Sequence, residues 1–168
     1  MARKNIRIGP IIQFWTMDKS SIFQSLKTLP IAKAKVVREG KAVAILAFGT
    51  LLSEALLAAE SLDGTCVNMR FIKPLDTALL AKLVASHDLL VTVEDNSVMG
   101  GAGSAVNEAL LEMGLNIPIV NLGLPDTFLP HGSREELLTD AGLDADGIIR
   151  RVEAKLLRNT HPKHATHI

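Results

Sequence analysis

From Leu29 onward the chain alternates short β-branched, apolar runs with stretches in which apolar residues recur at helical spacing. That alternation marks βα units laid on a largely parallel sheet. Five strands are predicted, over residues 34–38, 43–48, 65–71, 89–94 and 117–122, with the near-continuous hydrophobicity of strands covered on both faces. The second to fifth read as central. Leu52, Ala55, Leu56 and Ala59 follow the i, i+3, i+4, i+7 spacing of a helix that lays one apolar stripe on a sheet. Leu79, Leu80, Leu83 and Val84 repeat it, as do Val106, Ala109, Leu110 and Met113, so three crossover helices separate the last four strands. Glu39-Gly40-Lys41 is too short for a parallel crossover, which sends the first strand antiparallel at an edge. The expected fold class is α/β: a three-layer α/β/α arrangement whose five-stranded, mostly parallel sheet carries one antiparallel edge strand.

Two helices follow the sheet. Ser133 with Glu136 has the spacing of a capping box, and Asp144 precedes a stripe of Ile148, Ile149, Val152 and Leu156. Periodicity is lost from Asn159, and His161, His164 and His167 recur there every third residue with no rigid element to hold them as metal ligands. The chain therefore divides into an arm over 1–28, a domain over 29–157 and a flexible tail over 158–168.

The 168 residues are 48% apolar and 21% charged, the balance of one globular domain with a sizeable core. No uncharged stretch approaches the ~18–20 residues that span a bilayer, so no membrane partner is expected. Cys66 is the only cysteine, which excludes a disulfide framework and suits a reducing, cytoplasmic compartment. Net charge is zero, but residues 1–41 carry nine Lys/Arg against Asp18 and Glu39, leaving the remainder at −7. Those cations are dispersed and no recognition motif follows them, so no nucleic-acid partner is expected either. Phe14, Trp15 and Phe23 lie in the same segment, an unusual content for a free tail.

The most distinctive local feature runs from Glu94 to Ser104: a strand end, then Gly100-Gly101-Ala102-Gly103-Ser104 opening a helix. Glycines there allow close approach of a ligand or of another chain, and the helix start favours an anion. Glu94, Gly100, Gly101, Ala102, Gly103 and Ser104 are thus the candidate anion or subunit-contact loop. It is not a dinucleotide fingerprint: the third glycine is missing and the strand about 20 residues on ends in Asn121, not an acid. No lysine follows, so it is no P-loop. Ser104, Asp126 and His131 stand in hydrolase order, but without a nucleophile elbow. Arg70, Lys73 and Asp76, at a strand exit and helix cap, form a secondary candidate that could hold a phosphate or simply pair ionically. No catalytic residue and no metal ligand is assigned.

Met69-Arg70-Phe71-Ile72-Lys73-Pro74-Leu75-Asp76 and Val93-Glu94-Asp95-Asn96-Ser97-Val98-Met99-Gly100-Gly101-Ala102-Gly103-Ser104 resemble the C-terminal domain of 1-deoxy-D-xylulose-5-phosphate synthase. Leu29-Pro30-Ile31, Phe48-Gly49-Thr50 and Asn121-Leu122-Gly123-Leu124-Pro125-Asp126 extend the similarity over about 29–157. Related transketolase-type enzymes share the general pattern. The resemblance implies a transketolase C-terminal-like sheet with one antiparallel strand. It implies an enzyme that condenses pyruvate with glyceraldehyde 3-phosphate for isoprenoid and thiamine biosynthesis, using thiamine diphosphate and magnesium held by two preceding domains. Leu62-Asp63-Gly64 and Ala145-Asp146-Gly147 lack the first glycine of the metal-binding signature, so no catalytic or cofactor-binding residue carries over. The expectation is an isolated structural and assembly domain, inactive alone, that dimerises or joins the missing catalytic domains. The alternative is a small module binding a phosphorylated metabolite at the glycine loop. The lack of match over 1–28 points to a truncated gene, an engineered piece or a replaced leader.

Overall fold

A computed structural model describes residues 29–129 and 131–160; the arm over 1–28 and all but the start of the tail over 158–168 lie outside the described residues. The chain divides after Pro30, and the unit that follows is the α/β domain. In chain order it runs β1 (Lys35–Arg38), β2 (Val43–Phe48), a 3-10 turn (Gly49–Leu51), α1 (Leu52–Ser61) and β3 (Thr65–Asn68). Next come α2 (Thr77–Ser86), β4 (Leu89–Ser97), α3 (Ala102–Glu112), β5 (Ile119–Leu124), α4 (Arg134–Ala141) and α5 (Ala145–Thr160).

The strands form one sheet in the order β1-β3-β2-β4-β5, parallel except for β1, which runs antiparallel to β3. Period-two alternation splits their side chains into two cores. Val43, Ile45, Ala47, Cys66, Leu89, Val91 and Val93 face one side, under Ala55 and Ala59 of α1, Leu138 of α4 and Ile148 and Val152 of α5. Ala44, Leu46, Phe48, Val67 and Leu90 face the other, under Leu80 and Leu83 of α2 and Val106 and Leu110 of α3. The four apolar stripes read from the sequence are the stripes that pack. Every residue of β2 is buried, as the central strand of a three-layer sandwich requires.

β1 is the antiparallel edge strand expected, and three details need correction. Its short link to β2 does not join neighbouring strands, because β3 lies between them. Residues 39–42 step over the entrance of β3 instead: Lys41 N donates to the Asp63 carbonyl at 2.7 Å and Gly40 N to Thr65 Oγ1 at 3.0 Å. A Cβ on Gly40 would stand 2.3 Å from the Gly64 backbone, so only glycine permits the crossing. β1 carries Lys35 and Arg38, which suit an outer edge and not the slot beside β2. Second, β5 is the opposite edge, not a central strand, and most of it is only half-buried.

Third, five strand ends move, β1 starting at Lys35 and β5 ending at Leu124 among them. β3 stops at Asn68, whose Oδ1 accepts Arg70 N at 3.1 Å as Arg70 turns to a φ of 60°. β4 runs on to Ser97, with an irregular register between Val93 and Ser97 before Ser97 meets Leu124. β5 begins two residues late because Pro118 has no N–H, although its carbonyl accepts Leu90 N at 3.0 Å. The later helices are capped as expected. Ser133 and Glu136 exchange capping-box bonds of 2.8 and 3.3 Å, and Asp144 Oδ1 accepts Gly147 N at 2.9 Å. The Ser133 amide and hydroxyl hold the Glu136 carboxyl below the usual carboxylate range. α5 continues through Thr160, past the point where its apolar stripe ends.

Candidate functional site

The carboxyl ends of β2, β4 and β5 and the start of α3 bring the glycine-loop residues together. Glu94, at the end of the regular part of β4, is 3% exposed and turns its carboxylate into the first turn of α3. Oε2 accepts Ala102 N at 2.7 Å and Oε1 accepts Gly103 N at 2.8 Å. These amides are among the donors that a helix start leaves unpaired, and the positive end of the helix dipole adds to the attraction. The anion at this helix start is therefore the chain's own.

Each glycine has a reason in this arrangement. A Cβ on Gly101 would fall 2.2 Å from Glu94 Oε2 and 2.3 Å from the Ser97 carbonyl. On Gly103 it would meet Thr92 Oγ1 at 2.6 Å, and on Gly123 the Asn96 carbonyl at 2.7 Å. Buried Thr92 donates to Asn121 Oδ1 at 2.9 Å, locking β4 to β5 beneath Gly103. Gly100 supplies a φ of +73°, and its N–H donates to Ser104 Oγ at 3.1 Å while that hydroxyl donates to the Val98 carbonyl at 3.2 Å. Ser104 is thus committed to closing its own loop. Outside it, Met99 is 74% exposed and Phe128 fully so. A cleft of about 380 Å³ opens beside Phe128, lined by Asn96, Ser97, Leu124, Pro125, Asp126 and Leu129 among others.

The secondary candidate divides. Asp76 caps α2, with Oδ1 accepting Leu79 N and Oδ2 accepting Ala34 N, each at 3.1 Å. Its cation is Lys33, at 3.5 Å, and not Arg70 or Lys73. Burial acts to raise the Asp76 carboxyl, but the Leu79 and Ala34 amides and the Lys33 charge outweigh it and hold the group below its ordinary value. Arg70 and Lys73 make no side-chain hydrogen bond or ion pair among the described residues, and Lys73 precedes a cis proline. Among the described residues no group of three His, Cys, Asp or Glu side chains is placed to hold a metal ion.

A polar chain at the junction of β2 and β4 is not apparent from the sequence. Arg134 Nη2 donates to Thr50 Oγ1 at 2.5 Å and Thr50 donates to Asp95 Oδ2, tying α4 to both strand ends. Chain direction reverses across this pair of strands, since α1 leads to β3 on one side and α2 returns to β4 on the other. The adjacent Phe48-Gly49-Thr50 and Glu94-Asp95 were the available signal. Arg134, 84 residues from Thr50, left none.

A family model described as the C-terminal domain of transketolase matches residues 32–148. The chain belongs to the transketolase C-terminal domain family. Within that family it is 60% identical, over 131 residues, to a 1-deoxy-D-xylulose-5-phosphate synthase of Thioalkalivibrio sulfidiphilus, covering 78% of this chain and 20% of that protein. A synthase of the same name from Yersinia pestis is 52% identical over 137 residues, covering 82% of this chain and 22% of that one. The chain thus spans about a fifth of the length of these curated relatives. Among solved structures, a split-gene transketolase in an inactive beta4 tetramer superposes with a TM-score of 0.71 at 35% identity, over 77% of this chain and 44% of that one. The transketolase C-terminal domain fold expected from the sequence is the one observed.

Proposed function

We propose that this chain is the C-terminal domain of a 1-deoxy-D-xylulose-5-phosphate synthase and serves that enzyme as an assembly domain. The observation that carries the reading is 60% identity confined to a fifth of a protein bearing that name. The whole enzyme would condense pyruvate with glyceraldehyde 3-phosphate, releasing carbon dioxide, for isoprenoid and thiamine biosynthesis in the cytoplasm. Thiamine diphosphate with magnesium would supply the carbanion chemistry. The described residues of the glycine loop do not offer that cofactor a diphosphate site. The amides of Ala102 and Gly103 are saturated by Glu94, and the described residues hold no metal-ligand cluster. No step of the condensation is therefore assigned to this chain.

Its contribution is surface. Met99, Phe128 and the cleft beside Phe128 offer apolar contact to the catalytic domains or to a second copy. Self-association is supported by the related split-gene transketolase chain, whose structure is a beta4 tetramer. The rival reading, a phosphorylated metabolite on the glycine loop, requires that ligand to displace a buried carboxylate from two amides. No helix among the described residues is long and apolar enough to cross a membrane.

The test is a chimera in which residues 29–157 replace the matching fifth of the Thioalkalivibrio synthase. Synthase activity within about tenfold of the parent is expected. Loss of activity in a folded, dimeric chimera would overturn the reading. Calorimetric titration of the full chain alone with thiamine diphosphate and magnesium is expected to give no heat; saturable binding at one site would count against a domain without cofactor contacts.

A further inference from the structure

We propose that β5 is a self-pairing edge, through which two copies of this chain join their sheets antiparallel about a twofold axis at Asn121. The inference rests on the self-association in the reading above and assigns it a surface.

The sheet has two edges of opposite character. β1 is four residues long, carries Lys35 and Arg38, and shifts register between Val36 and Arg38, all devices that blunt an edge. β5 is six residues of Ile-Val-Asn-Leu-Gly-Leu, and no charged residue occurs from Met113 through Pro125. Its ladder to β4 fixes which main-chain groups face outward. Leu90 N donates to the Pro118 carbonyl and Val98 N to the Leu124 carbonyl, so residues 118, 120, 122 and 124 face β4. Ile119, Asn121 and Gly123 therefore turn their N–H and C=O groups away from the sheet. Among the described residues nothing pairs with those groups, although all three residues are half-buried. Backbone groups in that position are ordinarily paired.

A second copy of the same edge meets every requirement. Antiparallel pairing about Asn121 sets Ile119 opposite Gly123 of the copy and Asn121 opposite itself. All three are then hydrogen-bonded positions, giving about six main-chain bonds. The register is bounded, because the next outward position is Pro125, which has no N–H. No charges meet in this arrangement, whereas self-pairing of β1 would bring Lys35 and Arg38 of both copies to one cationic seam. The result is a continuous ten-stranded sheet across the axis.

The test uses the full chain. Sedimentation velocity is expected to show a concentration-dependent dimer. Directly opposed hydrogen-bonded residues stand ~5.5 Å apart at Cα, within disulfide range. N121C is therefore expected to form a covalent dimer under mild oxidation, while Leu57→Cys, on exposed α1, remains uncross-linked. Ile119→Pro deletes an outward N–H and leaves the β4 ladder intact; it is expected to weaken dimerisation tenfold or more with unchanged circular dichroism. A dimer in which N121C fails to cross-link overturns the edge and leaves self-association standing, with copies meeting elsewhere. A strict monomer at high concentration overturns both, while an active chimera would still uphold the synthase reading.

Discussion

Replacing Glu94 by Gln tests whether the buried carboxylate is what the glycine loop was built around. The substitution keeps shape and volume, so packing against Gly101 and Gly123 is preserved. It removes one of two charge-assisted bonds, worth ~1.5–3 kcal/mol, and turns an NH₂ toward an amide N–H that needs an acceptor. It also removes the negative charge from the positive end of α3. With the side chain 3% exposed, water cannot compensate. The expected loss is about 3 kcal/mol, or about 10 °C in Tm for a domain of this size. Thermal unfolding followed by circular dichroism reads it directly. Glu94→Ala goes further, because it opens the two amides, and acetate at ~50 mM should then raise the variant's Tm and not that of the parent. A shift below about 2 °C in Glu94→Gln would refute the argument, since the two bonds could not then matter to the fold.

Other expectations follow from neighbouring geometry. Gly40→Ala, which puts a Cβ 2.3 Å from the Gly64 backbone, should cost more than about 2 kcal/mol in urea unfolding. Gly114→Ala, with φ +66° and nothing within 4 Å, should cost about 1 kcal/mol. Asp76→Ala should cost ~1–2 kcal/mol as a lost helix cap, read by the same melt. Because the folded state lowers the Asp76 carboxyl, its contribution is complete above the unfolded value near ~3.9 and is lost as pH falls through the lower folded value. Asp76→Asn should therefore flatten the stability profile below about pH 4, and an unchanged acid limb would contradict this. Burial pushes the Cys66 thiol up to about 11, with Arg38 pulling part of the way back. A thiol reagent at pH 8 should label it only after denaturant is added, and rapid native labelling would show the core to be open.

The legible parts of this fold were those fixed by neighbours in sequence. The bounds of β2 are legible because six apolar residues end at a glycine, and the starts of the helices after β5 because their caps lie within three residues of the groups they bind. Strand pairing is different. The short Glu39-Gly40-Lys41 link places β1 antiparallel at an edge, but nothing local distinguishes β3 from β2 as its neighbour. The glycine loop was legible as a place of close approach and illegible as to what approaches. Gly101 and Gly103 announce the missing side chains, while the visitor is Glu94, eight and nine residues back, delivered by the irregular end of β4. Asp76 is legible as a cap from its place before α2, but its cation is Lys33, 43 residues away, and not one of the adjacent basic residues.

The crossing of residues 39–42 over the entrance of β3 also imposes an order of events. β1 leaves the ribosome before every other element of the sheet, yet the strand it pairs with begins at Thr65 and the crossing leans on Asp63 and Gly64. It can be seated only after β2, α1 and β3 have closed around the first core, because until then there is no surface for it to join. Substitutions at Val36 and Val37 should accordingly speed unfolding while leaving the folding rate nearly untouched. The strand that comes first in the sheet's chain order is the last to be secured.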